Sequence, residues 1–318
     1  MKDVLFIKTS SLGDVIHHMP ALTEARAHLP DVRFSWVVEE AFAPLVALHP
    51  AVGEVIPVAA RRWRRSLLRP STWGQMAAFR RSLKGKTFDE IVDSQGLLKS
   101  ALIARYAQGR RRGYDRKSIK EPAASWLYDI KHAVEWKQHA IARNRALAAE
   151  ALGYVSGGPP DFGLDRASLA ANASKPYGVL LHATAQAGKE WPEENWRMLA
   201  AVLGSSDVDL VVPHGNETER ERAVRIAHAS PHARVPERQP LDQVARLIAG
   251  ASFVVGVDTG LLHLAAALGV PLVAIFLGSE PGLTGPMGRG TIEVLGAKGA
   301  PPSVVEVGDT VKRLMQPG

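Results

Sequence analysis

The sequence predicts an α/β chain of two lobes, each built on a mostly parallel sheet, and two stretches carry that expectation. Residues 1–24, MKDVLFIKTSSLGDVIHHMPALTE, read as an apolar strand at 4–7, a tight turn, and a helix opening near Gly13 and Asp14. Residues 251–268, ASFVVGVDTGLLHLAAAL, repeat the pattern, with Asp258-Thr259-Gly260 as the turn. Two strand-turn-helix sites imply two lobes, and 318 residues suit two domains of about 150 residues each.

The remaining elements follow in order. Apolar runs at 32–38, 55–58 and 88–92 read as strands separated by helical or loop segments, which is the βαβ alternation of a parallel sheet. Pro20 should kink the first helix or begin a new segment. A helix is expected over 97–107, after Gln95-Gly96. Residues 153–176, with Gly157-Gly158-Pro159-Pro160 and Lys175-Pro176, form the expected linker. Beyond it, strands at 178–182, 208–212, 253–257 and 270–276 alternate with helices at 192–203, 217–228 and 241–249. A Gly/Pro-rich stretch at 299–302 precedes a final helix over 304–315. The expected domains are 1–160 and 175–302, followed by a terminal helical segment, 303–318.

Composition narrows the function classes. Without cysteine there are no disulfides and no thiolate metal sites, which fits a reducing compartment. Asp3 and Lys8 bracket the first apolar run, unlike a signal peptide, and no stretch approaches the roughly 18–20 apolar residues of a membrane span. The expected location is therefore cytoplasmic. Residues 1–150 carry 25 basic and 15 acidic side chains, whereas residues 151–318 carry 14 and 17. So basic a first lobe points to an anionic partner: nucleic acid, a membrane surface or an acidic substrate.

Motifs locate the chemistry. Neither G-x-G-x-x-G nor G-x-x-x-x-G-K-[ST] occurs, so phosphates must be held in another way. In the first turn Thr9, Ser10, Ser11 and Gly13 place hydroxyls and free N–H groups at a helix N-terminus, an arrangement that attracts anions. Asp14 there can act as a general base toward an acceptor hydroxyl, although Ser11 to Asp14 equally fits a capping box. Asp258-Thr259-Gly260 lets a phosphate approach backbone N–H groups, or Asp258 simply caps the helix; His263, on that helix's first turn, faces a ligand or packs. Lys189 in a polar loop can neutralise a leaving diphosphate or only be solvated. Thr184 can donate to phosphate or cap a turn. Glu219 fits a capping box with Asn216, or it accepts from ribose hydroxyls, with Glu217 as the alternative. Arg61-Arg62-Trp63-Arg64-Arg65, with Arg69, Arg80, Arg81 and Arg110-Arg111-Arg112, suits carboxylate or phosphate contacts and a wet membrane interface. Asp207-Val208-Asp209 matches a metal-binding D-x-D pattern, but Asp209 opens an expected buried strand, so no metal site is assigned.

Six segments, KTSSLGDVIHHMPALTEA, WVVEEAFA, VIPVAARRWRR, DSQGLLKSAL, LHATAQAGKEWPEENW and VDTGLLHLAAAL, resemble in that order the lipopolysaccharide heptosyltransferases of glycosyltransferase family 9. The similarity covers nearly the whole chain. It implies the GT-B type of fold, two Rossmann-like doubly wound domains facing across a cleft, with the last helix packing back on the first domain. It implies an inverting transfer of L-glycero-D-manno-heptose from ADP-heptose to the inner Kdo of Kdo2-lipid A, with Asp14 as base and Lys189 assisting departure of ADP. Donor-binding roles are implied for Thr184, Lys189, Glu219, Asp258, Thr259, Gly260 and His263, and acceptor-binding roles for Ser10, Ser11, Gly13, Arg61, Arg62, Arg64 and Lys120. No cofactor is implied, and a divalent ion is not expected to be essential. Peripheral association with the anionic cytoplasmic face of the inner membrane is expected, and nucleic acid is not. Lys120 stands where relatives carry Arg, and Leu277-Gly278-Ser279-Glu280-Pro281 departs from the family's Gly-Pro-Thr-Asp-Pro. The rivals are another nucleotide-sugar transferase, such as heptosyltransferase II acting one sugar further out, and a non-catalytic nucleic-acid-binding protein, for which the interleaved aromatics are few.

Overall fold

The computed structural model describes residues 1–170, 175–184, 186–205, 208–278 and 281–316, and the chain divides into two units, Met1–Gly163 and Leu164–Gly318. That boundary falls inside the expected linker.

The first unit contains β1 (Asp3–Ile7), α1 (Leu12–Ile16), α2 (Met19–His28), β2 (Arg33–Glu39), α3 (Ala43–Val46), β3 (Val52–Val58), α4 (Ala60–Arg65), α5 (Pro70–Lys84), β4 (Thr87–Asp93), α6 (Leu98–Ala104), β5 (Gln108–Tyr114), β6 (Ile130–His132) and α7 (Ala140–Leu152). Its six strands pair in parallel in the order β3-β2-β1-β4-β5-β6. Four successive residues of β1, Val4 to Ile7, are fully buried, because helices cover both faces of a doubly wound sheet. Pro20 ends the first helical segment as expected: it occupies the first turn of α2, where its missing N–H has no intrahelical partner to lose. Gly153, at φ 80°, closes α7 in the left-handed conformation.

Strand β5 was not anticipated, since QGRRRGY looks like a solvated basic run. The twofold alternation of a strand explains it. Arg110 and Arg112 project to one face, where both donate to buried Glu90 on β4, Arg112 through Nε at 2.5 Å. Arg111 turns to the other face and grips Asp129 with two bonds of 2.8 and 3.1 Å. These three arginines, expected to join the anion-binding cluster, are therefore paired within the fold.

The second unit contains α8 (Arg166–Leu169), β7 (Tyr177–Leu181), α9 (Glu193–Gly204), β8 (Asp209–Val211), α10 (Glu217–Ala227), β9 (Ala233–Arg234), α11 (Leu241–Ala249), β10 (Phe253–Val257), α12 (Gly260–Ala267), β11 (Leu272–Ile275), α13 (Pro281–Thr284), β12 (Ile292–Leu295) and α14 (Val304–Met315). Its parallel sheet runs β12-β11-β10-β7-β8-β9, the same winding as the first when counted from the unit's own first strand. In each unit the winding direction reverses between two central strands, β1 and β4 or β7 and β10. Ligands of doubly wound sheets bind outside the carboxyl ends of such strands. Helix α14 has the expected bounds; within the second unit it packs on α9, β10 and β11, and Val307 and Val311 are fully buried with Leu199 and Val255.

The Glu90 cluster yields a stability prediction. Burial alone would raise the Glu90 pKa, but hydrogen bonds and charge from Arg112 and Arg110 outweigh it and hold the group below its ordinary 4.5. A carboxylate depressed in the fold stabilises fully above its unfolded pKa, and that stabilisation is lost as pH falls through the folded value. Glu90→Gln should lower stability at pH 7 by about 2 kcal/mol, less than the roughly 3–5 of a wholly buried pair, because the Arg110 side chain is 57% exposed. Urea midpoints of parent and variant should converge as pH is lowered from 7 to about 3; a gap independent of pH would contradict the assignment.

Candidate functional site

The second unit assembles most of the expected donor residues at its switch point. Strand β7 delivers His182 and Thr184, and β10 delivers Asp258 and Thr259 to the start of α12. Thr184 Oγ1 donates to the Asp258 carbonyl at 3.0 Å and so ties the two strand ends together. The helix cap is Thr259 rather than Asp258: Thr259 is extended, at φ −145° and ψ 163°, and its hydroxyl makes no capping bond. The Asp258 carboxylate instead takes Lys189 Nζ at 2.6 Å and lies 3.9 Å from His263 Nε2. Lys189 is thus held in an ion pair, and its side chain is only 21% exposed. Gly260 opens the helix beside this pair, so the first-turn N–H groups and the ammonium converge where an anion can sit.

Next to this anion site is a pocket of about 280 Å³. Leu181, Pro213, Leu241, Val244 and Leu261 give it apolar walls, and His182, Thr184, Gln239 and Thr259 add polar groups. Two polar atoms of its lining find no partner among the described residues, Nδ1 of His214 and Oε1 of Gln239, while the His182 ring hydrogen-bonds the Pro213 backbone. Orphaned buried groups are uncommon in folded proteins, so these two make the pocket a candidate ligand site. Burial, with the nearby Arg222 charge, pushes the His182 pKa down to about 4, so its imidazole is neutral at pH 7 and can accept as well as donate. His182, His214 and Gln239 were not among the expected site residues; the one available signal was a histidine closing the apolar run GVLLH.

Glu219 both caps and lines. Its Oε2 accepts from Gly215 N and its Oε1 from Asn216 Nδ2, each at 2.6 Å, while its own N–H donates to Asn216 Oδ1 at 2.9 Å. It still borders the pocket, whereas Glu217 points into a separate depression and pairs with Arg220. Of the two, Glu219 is the one that borders this pocket.

At the switch point of the first unit, Gln95 Oε1 accepts from the N–H groups of both Thr9 and Ser10 at 3.0 Å, and Lys99 Nζ donates to Ser10 Oγ at 3.4 Å. Asp14 Oδ2 accepts from Ser11 N at 2.7 Å and Ser11 Oγ at 3.1 Å, so the capping box is formed; Gly13 lies in the same short helix. Beneath this turn is a group that sequence reasoning missed. Lys8 is 7% exposed and donates to the Ser94 carbonyl at 2.9 Å and to Asn144 Oδ1 at 3.3 Å. Burial lowers its pKa, and the negative charges of Asp14 and Asp93 oppose that shift. Lys120 is exposed, close enough for its charge to act on Lys8.

The arginines of α4 separate into two groups. Arg62 is bound bidentately by Glu40 at 2.9 and 3.0 Å and also donates to Gln75, so it belongs to the fold first. Arg61 lays its guanidinium over Phe42 at 4.9 Å, and Arg64, one turn along, is exposed and makes no ion pair among the described residues. Of the D-x-D motif, Asp207 lies outside the described residues, and Asp209 opens β8 with His232 Nδ1 3.7 Å away. Ser279 and Glu280 of the loop after β11 also lie outside them. Among the described residues no three or more His, Asp or Glu groups cluster as metal ligands.

Residues 76–311 match the family model for glycosyltransferase family 9 (heptosyltransferase). Lipopolysaccharide heptosyltransferase 1 of Pseudomonas aeruginosa is 47% identical over 92% of this chain and 83% of its own length. The protein of the same name from Escherichia coli is 43% identical over 90% and 91%. Among solved structures, E. coli heptosyltransferase WaaC with ADP superimposes with a TM-score of 0.92 at 39% identity, over 98% of this chain and 99% of that one. WaaC with ADP-2-deoxy-2-fluoro heptose gives 0.88 at the same identity, with 98% of both chains covered.

The capping geometry of Asp14 can be tested by stability alone. Asp14→Ala removes the acceptor of both Ser11 bonds and should cost about 1 kcal/mol, whereas Asp14→Asn retains a carbonyl acceptor and should cost less. Denaturant midpoints check this ranking, and equal losses would mean that the observed bonds do not matter to the fold.

Proposed function

From the premise that the chain belongs to glycosyltransferase family 9, the heptosyltransferases, we infer that it moves L-glycero-D-manno-heptose from ADP-heptose to the inner Kdo of Kdo2-lipid A, with inversion, in lipopolysaccharide inner-core assembly. The single observation that carries the donor half is the Lys189–Asp258–His263 cluster at the start of α12, beside a pocket holding unpartnered polar atoms. ADP fits this arrangement by its chemistry. A diphosphate suits an ammonium and free helix N–H groups, and a purine suits an apolar slot with neutral donors and acceptors. Glu219 is the ribose partner in this reading.

The acceptor half rests on the first unit. Asp14 takes the proton of the Kdo hydroxyl, the oxygen attacks the anomeric carbon, and the bond to ADP breaks toward Lys189 and the N–H groups after Thr259. One displacement completes the transfer, so no glycosyl-enzyme intermediate forms. Lys8 beneath the Asp14 turn adds positive charge near the incoming carboxylates of Kdo. Ser10, Ser11, Gly13, Arg61, Arg64 and Lys120 are the proposed acceptor contacts, with Arg62 secondary because Glu40 already holds it. Lys189 and α12 supply the electrophilic help that other transferases take from a divalent ion, so turnover is expected to persist in EDTA. No described helix is long and apolar enough to cross a membrane, and the proposed location is peripheral, on the cytoplasmic face of the inner membrane. The nucleic-acid reading loses ground because Arg110, Arg111 and Arg112 are matched by Glu90 and Asp129.

Incubation with ADP-heptose and Kdo2-lipid A, followed by mass spectrometry, should show one added heptose; folded protein giving no product would reject the reading. Asp14→Asn should lower kcat by roughly 10²–10⁴-fold, the usual contribution of a positioned general base, with donor Kd and melting temperature nearly unchanged. Turnover within a few-fold of the parent would place the base elsewhere. Lys189→Ala should weaken ADP binding and slow transfer by about 10²-fold, through loss of a cation preorganised against the developing diphosphate charge. Unaltered steady-state kinetics would return Lys189 to a purely structural pairing with Asp258.

A further inference from the structure

We propose that the corner joining α4 to α5, with Leu67 and Leu68 at its tip and Trp73 on the first turns of α5, is the element that inserts into an anionic lipid bilayer. This deepens the peripheral association proposed above, and it does not depend on which sugar is transferred.

Charge is the first observation. Residues 55–88 contain nine Lys and Arg and no Asp or Glu. Among the described residues, carboxylates from outside the stretch form ion pairs with Arg62, through Glu40, and Lys86, through Glu54. Arg65, Arg69 and Arg81 are exposed and make no ion pair among the described residues, and Arg80 lies over the Tyr106 ring with its charge unmatched.

Apolar exposure is the second. Within this cationic surface Leu67 is 45%, Trp73 58% and Leu68 100% exposed. Single exposed leucines are ordinary. Three large apolar side chains within seven residues, ringed by arginines, form the amphipathic pattern of an interfacial anchor, in which the apolar groups enter the acyl boundary and the guanidinium groups stay among the phosphates.

The third observation is that the corner is built to hold them outward. Ser66 Oγ donates to the Arg62 carbonyl at 2.9 Å, and Thr72 Oγ1 to the Ser66 carbonyl at 2.8 Å. Arg69 N donates to the Ser66 carbonyl at 3.0 Å, and Trp73 Nε1 to the Leu67 carbonyl at 2.9 Å. Pro70 then opens α5. A loose loop would fold its leucines back onto the unit; these bonds prevent that. An anionic bilayer is the occupant that matches both features: it offers an apolar layer to a convex tip and phosphates to the arginines around it. Nucleic acid would use the arginines but not the leucines, which cannot stack on bases.

The test uses the full chain and extruded vesicles at physiological ionic strength, either phosphatidylethanolamine with phosphatidylglycerol and cardiolipin, or phosphatidylcholine alone. The parent should co-sediment with the anionic vesicles and not with the neutral ones. Leu67→Ser with Leu68→Ser and Trp73→Ser should reduce partitioning roughly tenfold or more, and Leu68→Ser alone should reduce it measurably with an unchanged melting temperature. Arg65→Gln with Arg69→Gln should lower affinity roughly tenfold and weaken its salt dependence. On a water-soluble, deacylated acceptor the leucine variants should turn over like the parent. The proposal is overturned if the parent ignores anionic vesicles, if the triple variant binds them as well as the parent does, or if RNA displaces the vesicles without sensitivity to the leucines. Loss of heptose transfer with intact, leucine-dependent vesicle binding would sink the proposed function and leave this inference standing; transfer with leucine-independent binding would do the reverse.

Discussion

A parallel sheet wound outward in both directions from its first strand leaves a gap at the carboxyl ends of its two central strands, because the connections after them depart toward opposite faces. Each unit of this chain has such a gap, and most of the candidate groups lie at one of them. In the first unit Lys8, Ser10 and Asp14 follow β1, and Ser94 and Gln95 follow β4; in the second, His182 and Thr184 follow β7, and Asp258 and Thr259 follow β10. The backbone N–H groups emerging there have left the ladder and need other acceptors. Gln95 serves Thr9 and Ser10 in the first unit, while in the second Thr259 opens α12 without a side-chain capping bond.

That constraint explains why two acidic residues show capping geometry at positions where the proposed chemistry also needs a carboxylate. Asp14 and Glu219 both accept from backbone N–H groups at the start of a helix. Capping and function are compatible because an ionised carboxylate has about four lone-pair directions and a cap uses one or two of them. The energies separate the roles. A cap contributes about 1 kcal/mol to the fold, whereas a general base lowers an activation barrier by about 3–5 kcal/mol. A residue in both roles is therefore placed by the weaker interaction and used through the stronger one.

Much of this was legible in the residues, and what was missed has identifiable causes. Strands β1, β4, β7 and β10 announce themselves as apolar runs because both of their faces are covered, and α14 was bounded correctly because it is amphipathic between a Gly/Pro-rich stretch and the chain end. Strand β5 was hidden because its charged side chains find partners on neighbouring segments, Glu90 on one face and Asp129 on the other, which no local pattern reveals. Lys8 read as a charge bracketing an apolar run, although its burial is made tolerable by Ser94 and by Asn144, far along the chain. Gln239 was missed for the opposite reason: its Oε1 matters through a bond it does not make among the described residues.

The same pairing sorts the excess positive charge of the first unit. Four arginines on or beside the sheet are matched by carboxylates: Arg110 and Arg112 by Glu90, Arg111 by Asp129, and Arg145 by Glu24. Those on α4 and α5 are largely unmatched, and Arg64, Arg65, Arg69 and Arg81 make no ion pair among the described residues. Screening at physiological ionic strength limits the reach of an exposed charge to about 8 Å. What an anionic surface or substrate meets is therefore the local set of unpaired groups, and the unit's total matters little. On α4 and α5 that set is a cationic field bordering the three apolar side chains that the same hydrogen-bonded corner holds in water.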